Sequence, residues 1–241
     1  MLEMIRANSL AICQTITNLY RVKVFYWSKI VFFIFGEKVH SESREIGHHF
    51  CGVCSRERLF HKIVETNYFS LFTIRLLPME KIAHYSQCEH CNNAFSEGQT
   101  GVPTQIKPIK KVISYIQLGY GMQKHRALSQ DICIKVSSFE YMDEEISAEN
   151  RTIMALDFDI YSYLKSIASN LNMRGKQEII EAAFLVTHAC CEIQYEDRLR
   201  INLMGNALGV SLEFINSIID HLHAQACYGV RRVVPTRVQT S

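Results

Sequence analysis

Cys51-Gly52-Val53-Cys54 and Cys88-Glu89-His90-Cys91 are two C-x-x-C pairs, with the 33 positions of residues 55–87 between them. Each pair suits a tight turn that points two thiolates at one spot, and two such turns complete the shell of a tetrahedral Zn²⁺ ion. Asn92 follows the second pair and tolerates the left-handed backbone that such turns often need. The spacing therefore predicts one zinc ion, and because four thiolates leave no position for water, the site is expected to be structural. The predicted ligands are Cys51, Cys54, Cys88 and Cys91.

Other interpretations of the cysteine pairs are weaker. A thioredoxin-like redox pair occurs once, in a βαβ setting, and no such setting surrounds Cys51. Disulfides need an oxidising compartment. Histidines near the cysteines are alternative ligands, although four cysteines already satisfy the ion; they are His48, His49, His84 and His90.

Composition indicates a folded protein of balanced charge. The 241 residues are 48% hydrophobic and 21% charged, which excludes a disordered chain, and the 4 prolines and 11 glycines exclude collagen-like or low-complexity sequence. With 26 basic and 24 acidic residues, the net charge of +2 does not indicate a dedicated binder of nucleic acid or anionic membranes.

The cysteine count and the N-terminal sequence point to the cytoplasm. Nine cysteines are an odd number, which a reducing compartment explains most simply: four hold a metal and five pack as small apolar groups. The stretch Val22–Phe35 is too short for a membrane helix and contains Lys23 and Lys29, so no transmembrane segment is predicted. No secretory cleavage site follows the N-terminus.

Residues 30–96 resemble the bacterial zinc-ribbon family. The similarity lies in Phe33-Ile34-Phe35-Gly36-Glu37-Lys38, which matches an F-x-F-G-x-K strand, and in Phe69–Ile74 with Leu77-Pro78 between the cysteine pairs. The sequence departs from the family at Gly52, where Pro is usual, and at Met79-Glu80, where an apolar turn is usual. The resemblance implies zinc binding and little else. The segment over 67–77, rich in Phe, Leu, Thr and Ile, itself predicts strands of a small antiparallel sheet that end at Pro78.

A helical pattern of apolar residues dominates the second half of the chain. A stripe from Ile153 to Leu171 predicts one helix over 152–173 that ends at Gly175. A nearly all-apolar segment predicts a buried central helix over 176–193. Two further helices are expected, over 195–208 with a stop at Gly209 and after the N-cap residue Ser211, and a less regular one over 110–117.

This helical half is similar to the TerB-like (tellurite-resistance) helical fold. The matching motifs are Ala189-Cys190-Cys191-Glu192-Ile193, Glu196-Asp197-Arg198 and Leu208-Gly209-Val210-Ser211. Metal binding is proposed for acidic residues of that family, but Cys190 and Cys191 stand where it usually has Asp-Gly. We therefore expect Glu192, Glu196 and Asp197 to stabilise a helix start, with a cation site as the alternative.

The expected architecture is α+β: a small antiparallel zinc ribbon followed by an all-α TerB-like helical bundle. The predicted boundaries are an N-terminal extension or strand over 1–29, the zinc ribbon over 30–96, a linker over 97–108, the helical domain over 109–226, and a basic, disordered tail over 227–241.

The favoured function is a cytoplasmic zinc-binding adaptor that contacts a protein partner, with a role in a stress response implied by the TerB-like resemblance. The first alternative is a nucleic-acid-associated protein that uses basic and aromatic residues of the cysteine-rich region, namely Arg56, Arg58, Lys62, Arg75, Lys81, Phe60, Tyr68 and Tyr85. Acidic residues interleave with these bases, so nucleic acid is not favoured as a partner. The second alternative is an enzyme that uses the acidic cluster of the helical domain, but no catalytic motif is found and the chain is not expected to be an enzyme.

Overall fold

The structure of the chain is a computed structural model. It describes residues 23–24, 34–71, 74–155, 158–226, 230 and 233. The predicted N-terminal extension and the predicted tail therefore lie outside the described residues, apart from residues 23–24, 230 and 233.

Long strands build the first part of the chain. They are β1 (Lys23–Val24), β2 (Ile34–Cys51), β3 (Arg56–Leu71), β4 (Ile74–Cys88) and β5 (Ala94–Phe95). They pair in the order β1-β2-β3-β4-β5, so each strand lies beside its neighbours in sequence. β4 and β5 are antiparallel, with Ser86 opposite Phe95 and Gln87 opposite Ala94.

The expectation of a small zinc ribbon is wrong. Residues 37–95 form a large, curled antiparallel half-barrel of four strands, and the fold is α+β with this sheet in place of the ribbon. The strand that was expected to end at Pro78 continues through it to Cys88. Proline lacks a backbone N–H, but it fits where the edge of a strand has no pairing partner. β5 pairs with Ser86 and Gln87, at the far end of β4, and so does not pair with Pro78.

Seven α-helices follow the sheet within the described residues. They are α1 (Ile106–Gly119), α2 (Arg126–Ser137), α3 (Asp143–Ala155), α4 (Ile160–Ile167), α5 (Met173–Cys190), α6 (Tyr195–Ala207) and α7 (Leu212–Ala224), with a 3₁₀ turn at Ala168–Asn170. Helix α1 begins inside the segment for which a linker was predicted. None of the described helices has both the length and the hydrophobicity that a bilayer-spanning helix requires.

The single helix predicted over 152–173 is wrong. Helix α3 ends at Ala155, and α4 starts anew after Asp159, whose carboxylate accepts hydrogen bonds from the N–H groups of Tyr161 and Ser162. Gly175, expected to end a helix, lies in the first turn of α5, where its N–H donates to Asn172 Oδ1 at 2.9 Å. The apolar stripe continues after the break because Ile160 and Leu164 of α4 and Leu171, just before α5, lie in one core.

The predicted helix end at Gly209, the N-cap at Ser211 and the buried central helix are confirmed. Helix α6 ends before Gly209, which has a φ of 71°, and the Ser211 hydroxyl accepts the N–H of Phe214 at 3.3 Å as the N-cap of α7. Helix α5 is buried on nearly every side, as predicted for the central helix. It packs against α1, α2, α6 and α7.

The chain divides into two compact units. One draws on residues 1–44 and 63–84, and the other on residues 45–62 and 85–241. Both cysteine pairs and all the described helices belong to the second unit.

Candidate metal centre

Strand ends and the turns after them position the four cysteines. Cys51 is the last residue of β2 and Cys54 lies in the turn that leads into β3. Cys88 is the last residue of β4 and Cys91 lies in the turn before β5. The fold therefore carries residues 55–87 out along β3 and back along β4, and returns the second pair to the first.

The four sulfur atoms form one compact group. All of them lie within 4.8 Å of one another, and the Sγ atoms of Cys51 and Cys91 are 3.7 Å apart. A tetrahedral ion with metal–sulfur bonds of about 2.3 Å requires sulfur–sulfur separations of about 3.8 Å. The arrangement thus has the size of a four-thiolate metal shell, as the sequence spacing predicted.

The turns around the cysteines have matching backbone geometry. Ser55 N–H donates to the Cys51 carbonyl at 2.8 Å, and Asn92 N–H donates to the Cys88 carbonyl at 2.9 Å. Ser55 and Asn92 both adopt left-handed conformations, with φ of 52° and 56°. The conformation predicted for Asn92 is confirmed, and Ser55 repeats it in the first turn without being an Asn or Gly.

Gly52 is required by a close backbone approach. Its N–H donates to the Thr100 carbonyl at 2.8 Å. A Cβ atom at this position would lie 1.9 Å from the carbonyl oxygen of Gly101 and under 3 Å from two more backbone atoms of that residue. Proline, the usual residue of the zinc-ribbon family here, would collide in the same place and would lack the N–H donor.

Aromatic rings support the cysteines from inside the unit. Phe60 and Phe95 are fully buried with Cys51 and Cys88 in one small cluster, and their ring centres are 5.5 Å apart. The His49 ring packs edge-on against Phe60 at 5.8 Å. This cluster is small and separate from the core of the helices. We therefore expect a bound metal to supply a large share of the stability of the cluster.

Burial and mutual proximity disfavour four thiolates without a cation. Burial raises the pKa values of Cys51, Cys54 and Cys88. Burial acts in the same direction on Cys91, but hydrogen bonds from Asn93 outweigh it and lower the pKa of that thiol. Two unit charges about 4 Å apart repel by about 4 kcal/mol at an effective dielectric constant of 20, so a dication is the natural counter-charge for the group.

A polar network joins the second cysteine turn to the start of α5. Arg174 Nη1 donates to the Cys91 carbonyl at 2.9 Å, and Asn172 Nδ2 donates to the Asn92 carbonyl at 2.8 Å. Asn172 also caps α5 through Gly175. Arg174 and Asn172 lie 80 or more positions from their partners, so the sequence did not predict these contacts, although an Asn just before a helix is a recognisable cap signal.

A second branch of this network is buried. Gln105 Nε2 donates to Asn93 Oδ1 at 2.8 Å and to Glu178 Oε2 at 3.0 Å, while Arg174 Nε donates to Glu178 Oε1 at 2.9 Å. Glu178 is buried; the Arg174 guanidinium compensates its charge, and the Gln105 amide donates a hydrogen bond to its other oxygen. Side chains of the helical part thus hold the backbone carbonyls of Cys91 and Asn92 and the side-chain amide of Asn93.

No histidine belongs to the cysteine group. Within the described part of the chain, the four cysteines are the only set of three or more His, Cys, Asp or Glu residues close enough to share a metal ion. His90 lies in the second turn but is exposed, and His49 is engaged with Phe60.

Asp197 stabilises a helix start, as predicted, and Glu196 lies in the same first turn. Asp197 Oδ2 accepts the Gln194 N–H at 3.0 Å, and Gln194 and Asp197 form a capping box at the start of α6. Asp197 also accepts a hydrogen bond from the hydroxyl of Tyr120, at the end of α1. Glu192 and Glu196 are exposed and join no metal-sized group among the described residues.

No protein-family model, curated protein or solved structure matches this chain. The similarity to the zinc-ribbon and TerB-like families therefore remains a prediction from the quoted motifs.

Proposed function

We propose that this protein is a cytoplasmic zinc-binding adaptor whose metal ion has a structural role. The observation that carries the proposal is the convergence of four cysteine sulfurs, and no other ligand type, on one partly buried point. A complete thiolate shell has no position for a substrate or an activated water, so it suits a scaffold and not a catalyst.

Zinc is the metal that best fits this ligand set. Thiolates select Zn²⁺, Cu⁺ or iron–sulfur clusters over hard cations, and the 3.7 Å separation of the Cys51 and Cys91 sulfurs fits the edge of a single-ion tetrahedron. Every cysteine that the structure describes is a free thiol, which agrees with a reducing compartment such as the cytoplasm.

The first cysteine turn offers a surface for a protein partner. Phe50 is 57% exposed and Val53 is 37% exposed, on either side of the buried Cys51. The metal would hold these two apolar side chains on a rigid turn, and rigid apolar groups lose little entropy on binding. The partner expected from this chemistry is a protein with an apolar recess.

Nucleic acid is the weaker candidate partner. Of the aromatic residues considered for stacking on bases, Phe60 and Tyr85 are buried. Lys62 is paired with Glu97 at 2.5 Å. These groups are therefore not presented to a nucleic-acid strand.

Metal analysis tests the structural part of the proposal. We expect one zinc per chain in the purified wild type, none in the double variant Cys51→Ser/Cys88→Ser, and one in the control Cys191→Ser, which changes a half-buried thiol outside the group. Absence of zinc from the wild type, or its full retention in the double variant, would reject the assignment.

Affinity capture tests the adaptor part. The zinc-loaded full chain is used as bait, each captured protein is purified, and its binding is measured again with the double variant Phe50→Ser/Val53→Ser. The control is Met154→Ser, which removes an apolar side chain that is exposed elsewhere in the chain. We expect the double variant to keep its zinc and lose the partner while the control keeps both; equal binding by the double variant would contradict the proposed surface.

A further inference from the structure

The helical part contains a cavity that the metal centre does not use. Its volume is about 370 Å³, near the lower end of the range for small-molecule sites. It lies among α1, α3, α4, α5 and α6, and its apolar walls are Ile116, Leu118, Ile153, Ile201 and Met204. None of the four cysteines of the metal centre lines this cavity, so the two sites are separate.

The acid at the cavity is already satisfied by the protein. Asp197 is only 8% exposed. Its Oδ1 accepts the Tyr120 hydroxyl, and its Oδ2 accepts the Gln194 N–H at 3.0 Å and the Cys191 thiol at 3.6 Å. Both carboxylate oxygens are therefore engaged, and Arg200 forms an ion pair with Asp197, so its charge is not left for a cationic ligand.

The basic group at the cavity is less engaged. Arg200 Nη1 lies 3.7 Å from Asp197 Oδ1, which is too long for a hydrogen bond, and the Arg200 side chain is 59% exposed. Guanidinium presents five N–H donors in a planar fork that matches a carboxylate.

Two tyrosines add neutral donors beside the arginine. Tyr115 and Tyr161 line the same cavity. Burial raises the pKa of Tyr161, the nearby Tyr115 adds to the rise, and Arg200 opposes it. Tyr161 therefore stays protonated at neutral pH, and the hydroxyls of both tyrosines are able to donate to an anion.

We propose that this cavity binds a small organic anion with an apolar body, of the carboxylic-acid class. The apolar walls would take the body, and the Arg200 guanidinium with the hydroxyls of Tyr115 and Tyr161 would take the carboxylate. A carboxylate in such a place receives charge-assisted hydrogen bonds, whereas an alcohol of the same length receives only neutral ones.

Three probes with one body and different head groups test the proposal: decanoate, decanol and decylamine. Binding to the zinc-loaded full chain is measured by titration calorimetry and by the shift in melting temperature. We expect decanoate to bind about tenfold or more tightly than decanol, because hydrogen bonds to a charged group are the stronger kind, and decylamine to bind least well.

Variants locate the binding site. Arg200→Gln should reduce decanoate binding to the level of decanol, and Leu118→Trp should weaken both probes by filling the cavity. Arg126→Gln is the matched control, because Arg126 is a similarly exposed arginine whose nitrogen lies 3.7 Å from Asp143. The proposal is overturned if decanoate does not bind the wild type, if decanol binds equally well, or if Arg200→Gln and Arg126→Gln behave alike.

Discussion

Replacing Gly52 by alanine should weaken metal binding strongly. The added Cβ would lie 1.9 Å from the Gly101 oxygen, and ordinary contact begins at 3.4 Å, so the two backbone segments must separate by about 1.5 Å. That separation also breaks the 2.8 Å hydrogen bond from Gly52 N–H to the Thr100 carbonyl. Overpacking of this kind costs roughly 1–3 kcal/mol and the hydrogen bond about 1 kcal/mol, so the expected total is roughly 2–4 kcal/mol.

The cost should be measurable as a loss of zinc affinity. Metal binding and folding of the cysteine turns are coupled, so free energy lost from the folded turn is subtracted from the apparent binding energy. A loss of roughly 2–4 kcal/mol corresponds to an affinity lower by about 30-fold to 1,000-fold. Competition with a chromophoric chelator at pH 7 measures this change directly.

Gly101→Ala is the matched control, since it adds the same methyl group to the other side of the same contact. A Cβ at Gly101 has no atom within 4 Å. We expect its zinc affinity to stay within about threefold of the wild type, as for ordinary surface substitutions. If Gly52→Ala also stayed within that range, the inferred backbone contact between the first cysteine turn and residues 100–101 would be refuted.

Three further predictions concern the helical part. Asn172→Asp should keep the cap of α5 but lose the donor to the Asn92 carbonyl, and should therefore lower zinc affinity alone. Asn172→Ala loses the cap as well and should lower both zinc affinity and helix stability; equal effects of the two variants on both quantities would argue against two separate roles. Chelation of the metal should leave most of the helical circular dichroism signal, because the helix core excludes the cysteine turns, and wholesale loss of helix would contradict this. Burial opposes ionisation of Asp197, but hydrogen bonds from Tyr120 and Gln194 outweigh burial and lower the pKa of this carboxyl. The stabilisation by ionised Asp197 is therefore present above the unfolded pKa of about 3.9 and is lost as pH falls through the folded pKa. Asp197→Asn should flatten that acid limb of the stability profile, and millimolar Ca²⁺ or Mg²⁺ should leave the melting temperature of the wild type unchanged; a rise of several degrees would instead indicate a cation site.

The convergence of the cysteines was predictable because its signals are local. A C-x-x-C turn needs only four residues, and the left-handed residue after the second turn is marked by Asn92. The length of the strands was not predictable in this way, since it depends on which partners pair along the sheet. Pro78 marks the end of a strand only if both edges of that strand are paired, and β5 pairs with too little of β4 to impose that limit.

The predicted helix over 152–173 shows how a correct pattern can be joined across a real break. Asp159 lies inside its apolar stripe and Asn172 directly follows the last stripe residue, so two cap residues interrupt the predicted helix. Asp159 and Asn172 both have side chains that accept N–H groups of the following turn. Their residue types were visible in the sequence, and the apolar periodicity was given more weight than these helix-start signals.

The contacts that give the metal centre its surroundings are all non-local. The approach of Gly52 to Gly101 and the bonds from Arg174 and Asn172 to the second cysteine turn join residues about 50 to 80 positions apart. The bonds from Arg174 and Asn172 have a common consequence, because the carbonyls that they hold belong to the second cysteine turn, which must keep two sulfurs in place. Asn172 is the clearest case: its Oδ1 satisfies the first turn of α5 and its Nδ2 holds the Asn92 carbonyl. One amide therefore connects the helix start to the metal turn, so the centre is stabilised by the helices around it as well as by the ion it would bind.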